Sequence, residues 1–316
     1  MPRTFLLTFL VVYSSYWGVG KAMAASTPAL TGSQQHGLFL DASGHVCGVG
    51  HNPNGEIGDG TAVDRLTPVP LAMSGSVSSI FTGWYHTIAI SGGAVFTWGY
   101  NGYGQIGNGT TNASLTPFPV AGISTAVGVA AGEYHSVALL SDGSIRAWGY
   151  NGYGQLGDGT NTGRTTPIQT IAISIVTGIA ACQYHTLALK SDGTVWAWGY
   201  NGYGQLGNGT TTSSSTPVQV TGLSGVTAIA AGLGHSMALK SDGTVWAWGY
   251  NGYGGLGDGN TTSFSSIVKA SGLTGVVSIA AGDYHSAAVK SAGPIWVWGY
   301  NGYGQIGNGP TTSSSV

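Results

Sequence analysis

Short runs of apolar residues recur along the chain, separated by clusters of glycine, serine, threonine and asparagine. In one representative stretch, three such runs occupy residues 226–232, 235–240 and 244–249, and a weaker β-prone run occupies residues 216–220. Small and aromatic side chains alternate along the last run, which is the period of a β-strand. Asp242-Gly243, which precedes that run, tolerates the positive φ of a hairpin turn. The pattern predicts four antiparallel strands in this order, beginning with residues 216–220, and no helix.

This unit is repeated at a fixed spacing. The heptapeptide Trp-Gly-Tyr-Asn-Gly-Tyr-Gly begins every 50 residues, and a degenerate copy is centred on Val49. Its tryptophans are Trp98, Trp148, Trp198, Trp248 and Trp298. Repeats of this length with four short strands predict an all-β propeller of about six four-stranded blades, either a six-bladed ring or an incomplete seven-bladed one. A parallel β-helix is the alternative, but its rungs are usually shorter and rarely need regular Asp-Gly hairpins.

The two ends of the repeat array are irregular. Only 9 residues separate Thr27 from His36, against 19 in the copy that starts at Thr216, so we expect the first repeat to lack its second strand. The array stops at residues 315–316, where a new Thr-Pro strand would begin. If the ring closes, we expect residues 27–30 to complete the last blade. A fragment of a longer protein would show the same pattern.

The N-terminus has the features of a secretory signal peptide. A basic start at Arg3 precedes an apolar run over residues 4–13, and Ala22-Met23-Ala24 places small residues before the expected cut. We expect residues 1–24 to be removed and residues 25–316 to form one propeller domain without a membrane span, since the apolar run is too short to cross a bilayer. A retained anchor is the alternative. The expected location is therefore secreted, periplasmic or on the cell surface.

Charge is scarce, with 6% of the residues charged and a formal net charge of -2. No cluster of lysine and arginine occurs, so the chain lacks the electrostatic footprint of a nucleic-acid-binding protein. The 42% apolar content and the strict repeat argue against a disordered glycine-rich chain. The two cysteines, Cys47 and Cys182, lie at different positions of separate repeats. We expect them to be small buried hydrophobic side chains without a disulfide.

Four motifs mark the repeat, with substitutions in some copies: Ala-Ala-Gly-x-x-His, Asp-Gly, Trp-Ala-Trp-Gly and Asn-Gly-x-Gly-x-Leu-Gly. They stand, for example, at residues 230–235, 242–243, 246–249 and 251–257. This pattern resembles the repeat of the regulator of chromosome condensation family, and the resemblance covers about residues 30–309. It implies a β-propeller, seven-bladed in the best-known members, that binds partners across one face of its disc.

Members of that family have different functions, so the resemblance is more specific for fold than for activity. One is a nucleotide-exchange factor for a small nuclear GTPase. Others are a plant UV-B photoreceptor, domains of ubiquitin ligases and a secreted bacterial inhibitor of β-lactamase. A guanine-nucleotide-exchange regulator is disfavoured here by the predicted leader and the lack of a basic tail. The photoreceptor is disfavoured because residues 83–87, Gly-Trp-Tyr-His-Thr, lack the arginine of its motif. Secreted bacterial members are the most similar in character.

Polar residues that recur once per repeat are interpreted as framework. The histidines are His36, His86, His135, His185, His235 and His285. Equivalent positions spread around a wide axis, whereas zinc needs its ligands about 2 Å from one point, so we expect structural hydrogen bonds at strand starts. Asp142, Asp192 and Asp242 are expected to form hairpin turns. No convergent acid, base, nucleophile or metal set is visible, and we predict no enzymatic activity and no cofactor.

Positions that vary between copies are free to specify a partner. The residue two positions before each histidine differs between copies, and a tyrosine usually follows it. Their loop is expected to line one face of the disc. The predicted partner-binding residues are Trp84, Tyr85, Glu133, Tyr134, Gln183, Tyr184, Leu233, Asp283 and Tyr284. Aromatic residues beside variable polar ones are typical of binding surfaces. The alternative is that these tyrosines pack between blades.

A second aromatic set lies in the heptapeptide and is nearly invariant, which favours a framework role. It comprises Tyr100, Tyr103, Tyr150, Tyr153, Tyr200, Tyr203, Tyr250, Tyr253, Tyr300 and Tyr303. If exposed, these rings are suited to stacking on sugars. The leading hypothesis is a secreted or surface-displayed, non-catalytic protein-binding propeller whose partner is an extracellular or envelope protein. The alternative is a carbohydrate-binding or cell-envelope-binding protein.

Overall fold

The computed structural model describes residues 29–33, 35–291 and 293–316. These residues form 23 β-strands in six antiparallel sheets. Within this part of the chain, no helix is long and apolar enough to span a bilayer. The sheets follow one another as the blades of a six-bladed β-propeller, which confirms the predicted all-β fold. The predicted signal peptide, residues 1–24, lies outside the described residues.

Each blade takes its strands in chain order, and the first strands of neighbouring blades pack against one another. Blades one to three comprise β1 (Ala29–Gly32), β2 (His36–Leu40), β3 (Val46–Gly50) and β4 (Arg65–Pro70); β5 (Val77–Thr82), β6 (His86–Ser91), β7 (Ala94–Gly99) and β8 (Ser114–Pro119); β9 (Ala126–Ala131), β10 (His135–Leu140), β11 (Ile145–Gly149) and β12 (Arg164–Gln169). Blades four to six comprise β13 (Val176–Cys182), β14 (His185–Lys190), β15 (Val195–Gly199) and β16 (Ser214–Gln219); β17 (Val226–Ala231), β18 (His235–Lys240), β19 (Val245–Gly249) and β20 (Phe264–Lys269); β21 (Val276–Ala281), β22 (His285–Lys290) and β23 (Ile295–Gly299). In blade six, Ser314 adds a single bridge to Gly299 where the other blades have a fourth strand.

The predicted starting point of the blade was wrong: the strand expected to come first in each blade is the last strand of the blade before it. We call this starting point the phase of the blade. The strand that contains residues 216–219 does not begin the blade of β17. It is the outermost strand of the preceding blade, where Val218 pairs with Ala197 of β15. The glycine-rich loop after Gly199 turns the chain back along β15, so the Thr-Pro segment pairs with the strand it has just left. A repeat period does not reveal this phase, because every starting point gives the same period.

The same shift corrects both expectations about the first repeat. It does not lack an inner strand, because Ala29 and Leu30 in β1 pair with Leu40 and Phe39 of β2. These two residues therefore belong to blade one, and they do not complete the last blade.

The core lies between blades rather than within them. At the interface of blades two and three, Ile88, Ile90 and Val95 pack against Ala138 and Trp148. Equivalent clusters fill the other interfaces between consecutive blades. Each heptapeptide tryptophan is fully buried there. Every interface is thus built from two neighbouring repeats, as expected for a repeat protein.

A buried asparagine organises each glycine-rich loop. In blade two, Asn101 Nδ2 donates to the carbonyl oxygens of Thr110 and Asn112 at 3.1 and 2.8 Å, and Asn101 Oδ1 accepts from the Ile106 amide at 2.9 Å. Gly107 has φ +74, and a Cβ on it would lie 2.8 Å from the Trp148 indole nitrogen of the next blade. The loop therefore requires glycine at this point for both conformation and space.

Candidate functional site

The repeated histidines join neighbouring blades. His135, the first residue of β10, places Nε2 3.0 Å from Thr186 Oγ1 in the next blade. That hydroxyl donates in turn to the carbonyl oxygen of Gln155, in the loop of the histidine's own blade. The contact recurs for His36, His86, His185 and His235. These five bonds confirm the predicted structural role at strand starts.

The hydrogen bonds place a proton on Nε2 of these rings, and burial determines their charge. A hydroxyl has one proton, and here it goes to a carbonyl oxygen, so the imidazole Nε2–H must donate to the hydroxyl. Both the neutral ring and the imidazolium can donate from Nε2, so the pKa decides the charge of the ring. Burial, followed by the charge of a neighbouring histidine, lowers the pKa of His36, His86, His135, His185 and His235 to about 3. These rings therefore act as neutral structural donors at physiological pH.

The tryptophans add a second bond across four of the interfaces. Trp148 Nε1 donates to the Gln105 carbonyl oxygen at 2.8 Å, and Trp198, Trp248 and Trp298 make the equivalent bond. Trp98 is equally buried, but its indole nitrogen has no acceptor among the described residues. The interface at Trp98 therefore lacks a hydrogen bond that the four equivalent interfaces have.

Tyrosines form a continuous band on the end of the disc where the histidine strands begin. Neighbouring rings lie with their centroids 4.7–6.5 Å apart, mostly in tilted or edge-to-face geometry. The band passes from blade to blade through contacts such as Tyr103 with Tyr150, Tyr153 with Tyr200, and Tyr253 with Tyr300. Pairs of this geometry stabilise one another by about 0.5–1.5 kcal/mol beyond their burial. We call this surface the tyrosine face.

The predicted partner-binding residues form the inner row of this face. Tyr85 stacks on Tyr134 at 5.6 Å, and Trp84 meets Tyr85 edge to face. Tyr184 contacts Tyr150 at 5.8 Å and Tyr284 contacts Tyr250 at 5.4 Å, both in tilted geometry. Trp84, Gln183, Leu233 and Asp283 are half-buried with these tyrosines, and Glu133 is buried. The inner row is interrupted at Gly234, where the other full copies have tyrosine.

The most exposed rings are in the heptapeptide set, which the sequence pattern favoured as framework. The second tyrosines of the heptapeptides are 37–72% exposed. They are Tyr103, Tyr153, Tyr203, Tyr253 and Tyr303. The first tyrosines of the heptapeptides are half-buried beneath them. The invariance of these tyrosines favoured a packing role. The side chains are both packed and exposed, since one edge of each ring packs on the band and the other faces solvent. Their place in a glycine-rich loop was the signal for exposure.

Charge is distributed unequally between the two ends of the disc. Lys190, Lys240 and Lys290 lie at the hairpin end, each over a tryptophan of the adjacent strand at 4.5–5.8 Å. Arg146 and Lys269 lie at the same end, in β11 and β20. The arginines at the opposite end, Arg65 and Arg164, are ion-paired to Asp59 and Asp158 of their loops. Among the described residues, the tyrosine face therefore presents no unpaired lysine or arginine.

Acidic groups lie at the inner edge of the tyrosine face. Glu133 is 6% exposed, and its Oε2 has no hydrogen-bond partner in the described part of the chain. Desolvation and the charge of Glu133 raise the pKa of Tyr134 and of Tyr184 above the usual range. A cavity of about 160 Å³ opens nearby, lined by Asn54, Tyr85, Tyr100 and Tyr134. The tyrosine face is therefore aromatic and electronegative, and it contains a cavity.

The remaining candidate residues have structural roles. Asp142 Oδ1 accepts from the backbone amide and the hydroxyl of Ser144 in its hairpin, as predicted, and Asp192 and Asp242 do the same with threonine. Cys47 and Cys182 are free and half-buried, and desolvation raises the pKa of Cys182 to about 12. The described residues contain no group of three or more side chains placed to hold a metal ion.

Comparison with known proteins gives the same architecture. A family profile described as RCC1-like domain matches residues 23–316. The structure of human WBSCR16 is 25% identical, with a TM-score of 0.83, and the match covers 92% of this chain and 80% of that one. Yeast RCC1 (Prp20), solved with Kap60 bound, is 24% identical, with a TM-score of 0.81 and coverage of 91% and 73%. The ectodomain of the Arabidopsis thaliana receptor kinase ACR4 is more distant, at 19% identity, a TM-score of 0.51 and coverage of 86% and 78%. No curated protein sequence matches the chain.

A propeller whose interfaces are structural and whose one aromatic face is preformed belongs to the class of binding and regulatory scaffolds. The profile match covers most of the chain. The protein is a member of the RCC1-like domain family.

Proposed function

We propose that this chain is a secreted or surface-displayed, non-catalytic propeller that binds a protein partner through its tyrosine face. The observation that carries this proposal is the continuous band of mutually packed, partly exposed tyrosines on one end of the disc. Tyrosine supplies a large amphipathic contact area at a low cost in conformational entropy. Because these rings already pack on one another, little further ordering is needed when a partner binds.

Variation within the inner row supports specificity for one partner. Glu133, Gln183, Leu233 and Asp283 occupy the same position in successive blades of an otherwise uniform frame. A ring with identical residues at every blade would present one chemistry five times. This ring presents two carboxylates, an amide and an aliphatic side chain at fixed places, which defines a single orientation for the partner.

The charge distribution indicates the partner's chemistry. The tyrosine face holds carboxylates and aromatic rings and no unpaired lysine or arginine. Carboxylates favour basic groups. The flat faces of individual tyrosine rings also attract cations, by about 0.5–2 kcal/mol. We therefore propose a partner surface that places lysine or arginine side chains over Glu133 and the stacked pair of Tyr85 and Tyr134. The predicted leader and the low charge content of the chain support an extracellular setting.

A carbohydrate or cell-envelope ligand is the second candidate. The exposed tyrosines from Tyr103 to Tyr303 recur once per blade, and this repetition suits a polymer with a repeating unit. Sugar binding predicts multivalent retention on glycans and little dependence on the variable inner row. Protein binding predicts one saturable partner whose affinity depends on the inner row.

A capture experiment separates the two candidates. The chain from residue 25 to 316 is immobilised and exposed to extracellular proteins and envelope fractions of its source, and bound material is identified by mass spectrometry. The double variant Tyr153→Ala and Tyr203→Ala should lose a protein partner by at least about tenfold in affinity, as expected for central aromatic residues. A matched control, Val127→Ala with Val277→Ala, removes exposed apolar groups at the opposite end and should bind normally. Equal binding by both variants would refute the assignment of this face.

A Glu133→Gln variant distinguishes the ligands further. It should weaken a basic protein partner and flatten the salt dependence of binding, but it should leave retention on a glycan array unchanged. Retention on glycans by the parent chain, with no single saturable protein, would move the function to the second candidate.

A further inference from the structure

One loop on the tyrosine face departs from the repeated pattern. Asn54, in the loop of blade one, occupies the place of Tyr103 in blade two and of the equivalent tyrosine in each later blade. Two residues further on, Glu56 occupies the place of Gln105. The loop of blade one therefore lacks the exposed ring that the other five loops have, and it carries a carboxylate where blade two has an amide.

In later blades, that exposed ring fills a space on the blade that follows. Tyr103 packs against two tyrosines of blade three, with its centroid 4.8 Å from Tyr134 and 5.1 Å from Tyr150. Tyr153 and Tyr253 make the same pair of contacts with their own neighbours, at 4.7–5.4 Å. The structure thus shows three times which group this space accepts. It is a phenol ring in tilted or edge-to-face geometry.

The equivalent space on blade two is open. Its walls are Tyr85 and Tyr100, whose centroids lie 6.1 Å apart, against 6.5 Å for Tyr134 and Tyr150 in the filled space. The cavity of about 160 Å³ described above lies here, lined by Asn54 and by Tyr85, Tyr100 and Tyr134. An apolar cavity of about 150 Å³ is large enough to bind benzene. The open space therefore has the size of one aromatic ring, and its walls already stand as they do around a bound ring.

Asn54 and Glu56 form a complementary polar pair at this cavity. The Asn54 amide nitrogens, N and Nδ2, donate to Glu56 Oε2 and Oε1 at 3.0 and 2.8 Å. Because a carboxylate only accepts hydrogen bonds, the side-chain amide must turn its NH₂ group toward Glu56. Asn54 Oδ1 then lies on the other side of that amide, and it accepts no hydrogen bond from a described residue. The cavity thus has an unused acceptor in its lining.

The pair also differs from its counterpart in blade two. There Gln105 Oε1 accepts from the Tyr103 amide at 3.0 Å, and Gln105 Nε2 has no partner among the described residues. In blade one, the carboxylate has no such unpaired donor, and both of its oxygens are used by Asn54. Glu56 is 2% exposed and forms no ion pair within the described part of the chain. Its negative charge disfavours an anionic ligand and favours a ligand that presents a donor.

We propose that the Asn54 cavity, the space lined by Asn54, Tyr85, Tyr100 and Tyr134, takes one tyrosine side chain of the protein partner. The ring packs on Tyr85 and Tyr100 as Tyr103 packs on blade three, and its hydroxyl donates to Asn54 Oδ1. This inference rests on the proposed function, since it names the group that anchors the partner on the tyrosine face. An aromatic side chain inserted into a preformed pocket is typical of the residues that dominate binding energy.

The first test uses p-cresol, which reproduces the tyrosine side chain from Cβ outward. It is titrated into the chain, and amide chemical shifts are followed by NMR. Saturable shifts should appear at Asn54, Glu56 and Tyr85, with no comparable site around Tyr103. The variant Asn54→Tyr supplies the missing ring and should weaken this binding by at least about tenfold, as expected when a ring loses its buried position. Absence of saturable shifts in the parent, or unchanged binding by the variant, would overturn the proposal.

A reciprocal variant tests the same idea in the opposite direction. Tyr103→Asn combined with Gln105→Glu copies the pair of blade one into blade two. It should open a second p-cresol site, seen as saturable shifts at residues 103–105 and at Tyr134, while the first site is kept. This variant removes a ring, so the test does not depend on whether Asn54→Tyr folds. A chain that gains no second site would contradict the inference that the missing tyrosine defines the ligand.

Two further probes test the chemistry of the ligand. 4-Fluorotoluene has the same ring without a donor, and it should bind at least about threefold more weakly than p-cresol through the loss of one hydrogen bond; equal affinity would refute the role of Asn54 Oδ1. Tetramethylammonium tests a cation site, and tighter binding than that of p-cresol at Asn54 would overturn the proposal.

Partner binding separates this inference from the proposed function. Asn54→Tyr should lower the affinity for a captured protein by at least about tenfold, as expected for a central aromatic contact. If Asn54→Tyr binds that protein as the parent does, and Tyr153→Ala with Tyr203→Ala does not, the cavity is not the anchor and the tyrosine face remains the binding surface.

Discussion

The neutral histidines between blades make the fold sensitive to mild acid. Each of the five rings has a folded-state pKa of about 3, against 6.5 in the unfolded chain. Since the folded pKa is the lower one, the unfolded state binds protons first. Stability is therefore fully present above pH 6.5 and falls as the pH drops from there toward 3. Acidification should weaken the contacts between blades.

The magnitude follows from the two pKa values. Between pH 7 and about pH 5.5, one such histidine lowers the free energy of unfolding by about 1.3 kcal/mol, and five together by about 6 kcal/mol. That loss is comparable with the whole stability of a typical domain, about 5–15 kcal/mol. We expect the urea midpoint, followed by far-UV circular dichroism, to fall steeply over this range. Carboxylates that titrate at lower pH contribute little above about pH 5.

A single substitution isolates the effect. His135→Gln keeps an amide donor near Thr186 and removes the titrating group. The difference in unfolding free energy between pH 7 and about pH 5.5 should shrink by about 1.3 kcal/mol relative to the parent chain, whatever the variant's stability at pH 7. Val127→Ala, which changes an exposed residue at the hairpin end and no titrating group, is the control and should keep the parent's difference. If His135→Gln loses as much stability on acidification as the parent, the interblade histidines are not the source of the acid sensitivity.

Three further substitutions test the framework by urea unfolding and hydrogen exchange. Trp148→Phe should lower the free energy of unfolding by about 2 kcal/mol more than Trp98→Phe does. Only Trp148 makes an interblade hydrogen bond, whereas the Trp98 indole is a buried donor without an acceptor among the described residues. Equal losses would show that the indole bond contributes nothing. Asn201→Ala should destabilise by about 2–4 kcal/mol through the loss of its bonds to the Leu206 amide and two loop carbonyls, and Asn301→Ala should cost about half as much in the more exposed last loop. Ile175→Gly should stabilise by up to about 1 kcal/mol, since Ile175 has φ 54 where Gly225 stands in the next repeat; a loss of stability would contradict the assignment of strain to that turn.

The period of the sequence was sufficient to predict the propeller, and alternation along residues 244–249 was sufficient to predict a strand there. The phase of the blade was not predictable, because Val218 is equally well suited to open one sheet or to close the previous one. Only the pairing of Val218 with Ala197 decides between them. Histidine roles were predictable because one copy per blade does not converge on a point.

The tyrosine face was predictable only in part. The loop before each histidine was expected at one end of the disc, and Tyr85 and Tyr134 lie there. Tyr103 and Tyr153 join them in one band because loops of different blades lie close together. A local sequence pattern does not predict that distance. The exposure of Ile295 was equally hidden, since its sequence matches that of buried equivalents such as Val245.

The location of the core between repeats has an evolutionary consequence. Each interface depends on two adjacent units alone, so deletion or duplication of a whole 50-residue unit inside the array leaves every remaining interface chemically intact. Units such as residues 190–209 and 240–259 are nearly identical in amino-acid sequence. The gain or loss of one whole unit would therefore leave the chemistry of the remaining interfaces unchanged. Each such event would lengthen or shorten the tyrosine face by one step, so the extent of this surface would be set by the copy number of a gene segment.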